Sequence, residues 1–435
     1  MNRLDDITTS VLASDIAGGR GTAAEWLLIN GRIYQAHGAE HASWLRIVGS
    51  TITELGFDSP PAPGDDKVQV VDLNGKFVLP GLHDSHIHTY SVGEASFFVN
   101  LGGCKSIDEL KQRIRLHAEA HPESSWIIGV QWAQHEMGGT YPCAGDLDDA
   151  MGSDDPRPVF LWRACWHIGC ANTPALALAG LGANMPIPST PGGVIDVDAD
   201  GNPTGILRER ATDLITPFTE EKDPDVRRKY FEAGVATCVA EGLTSLQSND
   251  GGGTERGNRG GSWEHYVAME KAGTLPLRLY LTVDYSDLAA GIAPASGTAG
   301  PGGLLKCDRV KLFGDGSLGA ETAAIRGKYN TEDGEEHPAP TSPDDEEGVL
   351  IQPADELAAK MADAKRQGFR LEIHAIGDRA AATVLDGLEA AGVTPDDRAV
   401  ITHCQLLGAD LIERMAAMKC VANIQVRATM LDTRG

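Results

Sequence analysis

From about residue 225 onward the chain alternates between helical and strand-like signals, and this alternation limits the fold more than any other feature. A helical stretch at 225–241 precedes 242-GLTSLQ-247, and another at 262–272 precedes 277-LRLYLTV-283. The strand 309-RVKLFGDG-316 follows. Helices at 354–367, 378–391 and 408–418 then lead into 369-FRLEIH-374, 398-RAVITH-403 and 420-CVANIQV-426. Repeated strand–helix units imply a parallel sheet covered by helices. Adding the apolar run that leads into His86 gives seven strands, near 77–83, 243–247, 277–283, 309–313, 369–374, 398–403 and 420–425. The expected fold is α/β, a (β/α)₈ TIM-type barrel with about seven of its eight strands present. A doubly wound open sheet is the competing topology.

The preceding residues read differently. Residues 1–24 form a polar tail without an apolar core segment, so no signal peptide is expected. In 26-WLLINGRIYQ-35, Asn30-Gly31 between apolar runs predicts a hairpin. With the short strands in 44–56 and 68–81, residues 25–76 read as a small β-sandwich module. Residues 77–435 would be the barrel, with a large insertion at about 97–225 after its first strand. Within the insertion, 106–121 reads as a helix with Ser106 as N-cap and Glu109 at the capping-box position. A strand is expected at 126–132, and a Pro/Gly-rich loop at 185–204 with a tight turn at Asp200-Gly201. Two further loops are expected, one glycine-rich at 251–261 and one acidic at 330–347.

A net charge of −25 argues against nucleic acid and anionic membranes as partners, since both require basic patches. No apolar run approaches the roughly 20 residues of a membrane span. The eight cysteines include no CxxC pair, which fits reduced thiols in a cytoplasmic protein.

Polar outliers fall at the expected strand ends, where a barrel keeps its working residues. His86 and His88 follow the first strand, Lys311 lies in the fourth, His374 ends the fifth and His403 ends the sixth. Alternation along a strand places both histidines of an HxH pair on one face, within reach of one metal ion. Each signal alone is weak, and the alternative for Lys311 is an ion pair with Asp315 or Asp84. Four histidines and a lysine at successive strand ends together point to a metal site.

These residues lie in motifs that resemble a known family. PGLHDSHIH (80–88) looks like the PGxxDxHxH signature of the amidohydrolase superfamily, and further segments resemble its family 3, or YtcJ-like, branch. They are 126-WIIGVQW-132, 163-RACWH-167 with 172-NTPAL-176, 200-DGNPTGILRE-209, VKLFGDGSLGAETA (310–323), HAIGDRA (374–380) and THCQLL (402–407). The resemblance implies a centre of one or two divalent metals, zinc foremost, on His86, His88, His374 and His403, and raises carbamylation of Lys311 as a bridging ligand. It implies hydrolysis of carbon–nitrogen bonds in a small non-peptide amide by a metal-activated hydroxide. Asp84 and Asp315 would orient ligand histidines from behind. Trp132, Arg163, His167 and Glu209, in the insertion, become candidates for substrate contact.

The chain departs from the family pattern after its seventh strand. Family members have an eighth strand ending in an aspartate that shuttles the proton, and the closing strands of their β module follow it. Neither is present here, and Asp432 comes too soon after strand seven, so no proton-transfer residue is assigned. Strands one and seven are then expected to carry unpaired edges, which favour self-association and make a homo-oligomer an expectation. Two alternatives stay open: a truncated, non-catalytic barrel that binds metal or ligand, and a deaminase or isomerase on the same metal site.

Overall fold

The computed structural model describes residues 25–64, 67–190, 193–219, 223–251, 262–318, 322–327, 329 and 347–426. The expected polar tail, nearly all of the glycine-rich loop, most of the acidic loop and Asp432 lie outside these residues. The described chain forms two compact units, the first running to His83 and including 242–245, the second comprising 84–241 and the residues from 246 onward.

The first unit contains β1 (Glu25–Ile29), β2 (Arg32–Ile33), β3 (Trp44–Val48), β4 (Thr51–Gly56), β5 (Val68–Asp72) and β6 (Phe77–Val78). Four strands pair in the order β4-β3-β1-β5, while β2 pairs with β6. Ile33, Ala42 and Leu45 form a small core beneath them. The hairpin expected at Asn30-Gly31 does not form, because β1 and β2 belong to different sheets. A two-residue type I′ turn needs positive φ at both central residues, and here only Asn30 has it (φ 54). Asn30 instead turns a corner, its Nδ2 donating to Asp72 Oδ2 at 3.0 Å and its carbonyl accepting from Gly75 N at 2.7 Å.

The insertion is a folded layer with its own core. It holds β8 (Val99–Asn100), β9 (Ile127–Trp132), β10 (Val159–Arg163), β11 (Ile168–Ala171), β12 (Gly193–Val197) and β13 (Pro203–Glu209), ordered β12-β13-β11-β10-β9-β8. Strand alternation splits the apolar residues between two faces. Ile127, Val159 and Leu161 face the helices Ile107–Ala120 and Ala144–Met151, while Ile128 and Phe160 pack with Leu176 and Leu207 on the other side. The helix at Ile107 starts as expected, with Ser106 Oγ accepting from Glu109 N at 3.2 Å. The segment expected to be a loop is largely a β12–β13 hairpin that turns at Asp200-Gly201, where Gly201 has φ 82.

The remaining strands form the barrel sheet. They are β7 (Leu82–Ile87), β14 (Leu243–Gly251), β15 (Arg278–Asp284), β16 (Thr298–Ala299), β17 (Leu305–Phe313), β18 (Arg370–Ala375), β19 (Val400–His403) and β20 (Val421–Asn423). Seven follow the order β20-β19-β18-β17-β15-β14-β7, with β16 as a short antiparallel partner of β17. The pairs from β15 to β20 are parallel. Helices alternate with the strands because their apolar residues recur at helical spacing: in Asp378–Ala390 the buried set is Ala380, Ala381, Val384, Leu385 and Leu388. The result is a nearly closed TIM-type barrel, so the open doubly wound sheet is excluded. The first strand lies later than expected and contains His86. Its edge approaches β20 through side chains, with Asn423 Nδ2 donating to Ser85 O at 2.9 Å and Ser85 Oγ donating to Asn423 Oδ1 at 3.0 Å.

Candidate metal centre

The structure brings the strand-end histidines together. Ring centres lie 5.4 Å apart for His86 and His88, 5.4 Å for His86 and His403, and 4.5 Å for His374 and His403. His86 and His88 share a face by strand alternation. The helix Thr89–Ala95 follows immediately and is anchored by Thr89 N donating to Ser248 Oγ at 3.2 Å and Tyr90 N donating to Asp250 Oδ1 at 3.1 Å. This helix meets Pro224–Ala240 backbone to backbone: a Cβ on Gly93 would stand 1.8 Å from Tyr230 O, and one on Gly234 2.0 Å from Thr89 O.

His403 reaches the cluster by another route. Thr402, the partner of His374 in register, points to the interior, so alternation would send His403 outward. Left-handed backbone at His403 (φ 82) and Cys404 (φ 50) ends the strand and swings the ring inward. Such conformations are costly for residues other than glycine and concentrate at functional sites.

Each of three rings has one nitrogen bonded to protein. His86 Nδ1 lies 2.8 Å from Glu372 Oε1, His403 Nδ1 2.6 Å from Gln425 Oε1, and His374 Nε2 2.8 Å from Gly316 O. Asn249 Nδ2 also lies 3.0 Å from His86 Nδ1, and Asn249 Oδ1 is buried without a partner among the described residues. One ring nitrogen cannot donate to a carboxylate and accept from an amide at once. The chemically consistent amide orientation turns Oδ1 toward the Nδ1–H. Burial, followed by the positive charge of Lys311, lowers the pKa of His86. Burial also lowers His374 and His403, and the surrounding cationic groups push His403 further down. Neutral imidazoles are the form that binds metal.

Asp84 Oδ1 accepts from the backbone N of His86 at 3.0 Å, a main-chain contact within β7 and not the ring contact expected. Asp315 does sit behind a histidine, with Oδ1 3.3 Å from His374 Nε2. Its carboxylate also accepts from Ile376 N, Gly377 N and Ala324 N at 3.0, 2.7 and 2.9 Å. Lys311 is buried, and its ion partner is neither Asp315 nor Asp84 but Glu372, at 3.5 Å.

Sequence reading missed Glu372. It is fully buried in β18, with Arg309 Nη1 at 3.4 Å and Thr402 Oγ1 at 3.1 Å in addition to His86 and Lys311. Burial pushes its carboxyl up, but Lys311, His86 and Arg309 outweigh that and hold it well below the usual carboxylate range. The available signal was its position two residues before His374, on the same strand face.

Of the substrate-contact candidates, Trp132 is corrected. Its indole is fully buried in the insertion core and its Nε1 donates to Leu161 O at 3.0 Å, which leaves no surface for a ligand. Arg163 lies beside it in register, with Nε donating to Gln134 Oε1 at 2.8 Å. His167 is half-buried just before β11. Glu209 ends β13, and its side chain lies outside the described residues.

Among the described residues, no group of three or more His, Cys, Asp or Glu side chains is arranged to hold an ion in the rotamers seen. The donor set nevertheless fits a divalent metal. Zn–N bonds of about 2.0–2.1 Å place the centres of imidazoles sharing one tetrahedral ion about 5 Å apart, and neighbouring rings here are 4.5–5.4 Å apart.

Comparison with known proteins shows the family of the chain. The chain is 30% identical over 369 residues to YtcJ of Bacillus subtilis (strain 168), covering 83% of this chain and 65% of that protein. It is 31% identical over 245 residues to the N-substituted formamide deformylase of Arthrobacter pascens, covering 54% of this chain and 41% of the relative. A crystal structure of an uncharacterized metal-dependent hydrolase from Pyrococcus furiosus superposes with a TM-score of 0.66 at 28% identity, covering 92% of this chain and 77% of that one. Residues 69–435 match the amidohydrolase family, and the chain therefore belongs to it.

Proposed function

We propose that this chain carries the metal centre of a metal-dependent hydrolase that cleaves a carbon–nitrogen bond in a small organic amide. The observation that carries this reading is the cluster of His86, His88, His374 and His403, three of them with pKa values lowered by burial. A divalent metal held there, zinc foremost, would acidify water and polarise a carbonyl oxygen. The chain's own contribution is to keep the imidazoles neutral and to fix two of them through Glu372 and Gln425. Similarity to a formamide deformylase favours formamides and other non-peptide amides among the substrates to be tried.

The test is metal content followed by a substrate screen. Purified protein should hold about one to two divalent ions per chain, by the two-site logic of such centres, and His86→Ala with His88→Ala should abolish binding. Unchanged metal in the double variant would overturn the assignment. Amide hydrolysis in a screen of small formamides and cyclic amides would support the reading. Metal binding with no turnover would favour the non-catalytic barrel, and ammonia release from an aminated ring would favour a deaminase.

A further inference from the structure

β17 and β18 run parallel with Lys311 directly opposite Glu372, so both side chains leave the sheet on one face. Apolar residues would satisfy this pairing equally well, and burying a carboxylate is costly unless it is paired and hydrogen-bonded. Glu372 meets that condition completely: Oε1 faces His86 Nδ1, Thr402 Oγ1 and Lys311 Nζ at 2.8, 3.1 and 3.5 Å, and Oε2 faces Arg309 Nη1 at 3.4 Å. Its closest contact is with a histidine of the proposed metal centre.

We propose that Glu372 is a positioning residue of that centre: it fixes the His86 ring with Nε2 turned toward the ion. The inference rests on the metal-centre reading above. An Nδ1–H donated to a carboxylate sets the tautomer, places the lone pair on Nε2 and raises ligand basicity, as carboxylates behind metal-bound histidines commonly do. Arg309 lies two residues before Lys311 on the same strand and neutralises the other carboxylate oxygen.

The experiment measures zinc affinity of the purified chain by chelator competition. Glu372→Gln should bind zinc about 10–100-fold more weakly, the usual cost of losing such a partner. In [¹⁵N]histidine-labelled, zinc-loaded protein, the strongly hydrogen-bonded Nδ1–H resonance of His86 should be lost in this variant. Because Glu372→Gln leaves two cations buried with less compensation, Glu372→Gln combined with Arg309→Met restores the charge balance without touching a candidate ligand and should fold while still binding zinc weakly. Wild-type zinc affinity in Glu372→Gln, or in the double variant, would overturn the positioning role. Retention of zinc by the His86→Ala, His88→Ala variant would instead overturn the metal-centre reading itself.

Discussion

Asn423 joins the first and seventh barrel strands, and its removal should loosen both of them together. Its amide donates to Ser85 O at 2.9 Å and accepts from Ser85 Oγ at 3.0 Å, and the side chain is buried. Ser85 lies between Asp84 and His86 on β7, and Asn423 lies on β20, two residues before the Gln425 that holds His403. An intramolecular hydrogen bond contributes about 0.5–1.5 kcal/mol net, so Asn423→Ala should cost about 2 kcal/mol of local stability. At 1.4 kcal/mol per tenfold, that is about 30-fold faster amide exchange. Ser85→Ala keeps the bond to its backbone carbonyl and should cost about 1 kcal/mol, or roughly fivefold. Hydrogen–deuterium exchange by mass spectrometry on peptides spanning 82–88 and 420–426 reads the effect, and the peptide over 370–375 serves as control. Wild-type exchange in both edge peptides of Asn423→Ala would refute the bridging role. Equal effects of the two substitutions would refute the two-bond arithmetic.

Two further outcomes follow from the site and the insertion. Burial lowers the folded-state pKa of His86, His374 and His403 below the ordinary histidine value. Their contribution to stability is therefore complete above the unfolded pKa of about 6.5 and is lost as pH falls below it, by at most about 1.4 kcal/mol per histidine one unit lower. Metal-free protein should melt at progressively lower temperature between pH 7.5 and 5.5, and a flat profile would contradict neutral, buried rings. Trp132→Ala should destabilise the insertion by about 3–5 kcal/mol, whereas Trp132→Phe should cost less because it preserves most of the volume; limited proteolysis of the insertion should show this order, and equal resistance in all three proteins would remove Trp132 from the core.

The sequence by itself determined the order of strands and helices in the barrel, because apolar spacing is a local property of the chain. It also placed His86, His88 and His374 near one site, since strand ends of a barrel share one face and alternation fixes which side chains point inward. It did not show that residues 99–209 build a six-stranded layer with two buried faces, because short strands buried on both sides lose the alternation that marks them. His403 was picked out from its strand end, yet only the left-handed backbone at 403 and 404 turns it toward the other histidines. Glu372 was passed over as a charged residue in an apolar strand, because its partners are 61 and 286 residues away in sequence. Its charge is tolerable only where β7, β17 and β18 converge. Local periodicity writes the elements into the chain, while the pairing of buried charges is settled only by the tertiary structure, where distant residues become neighbours.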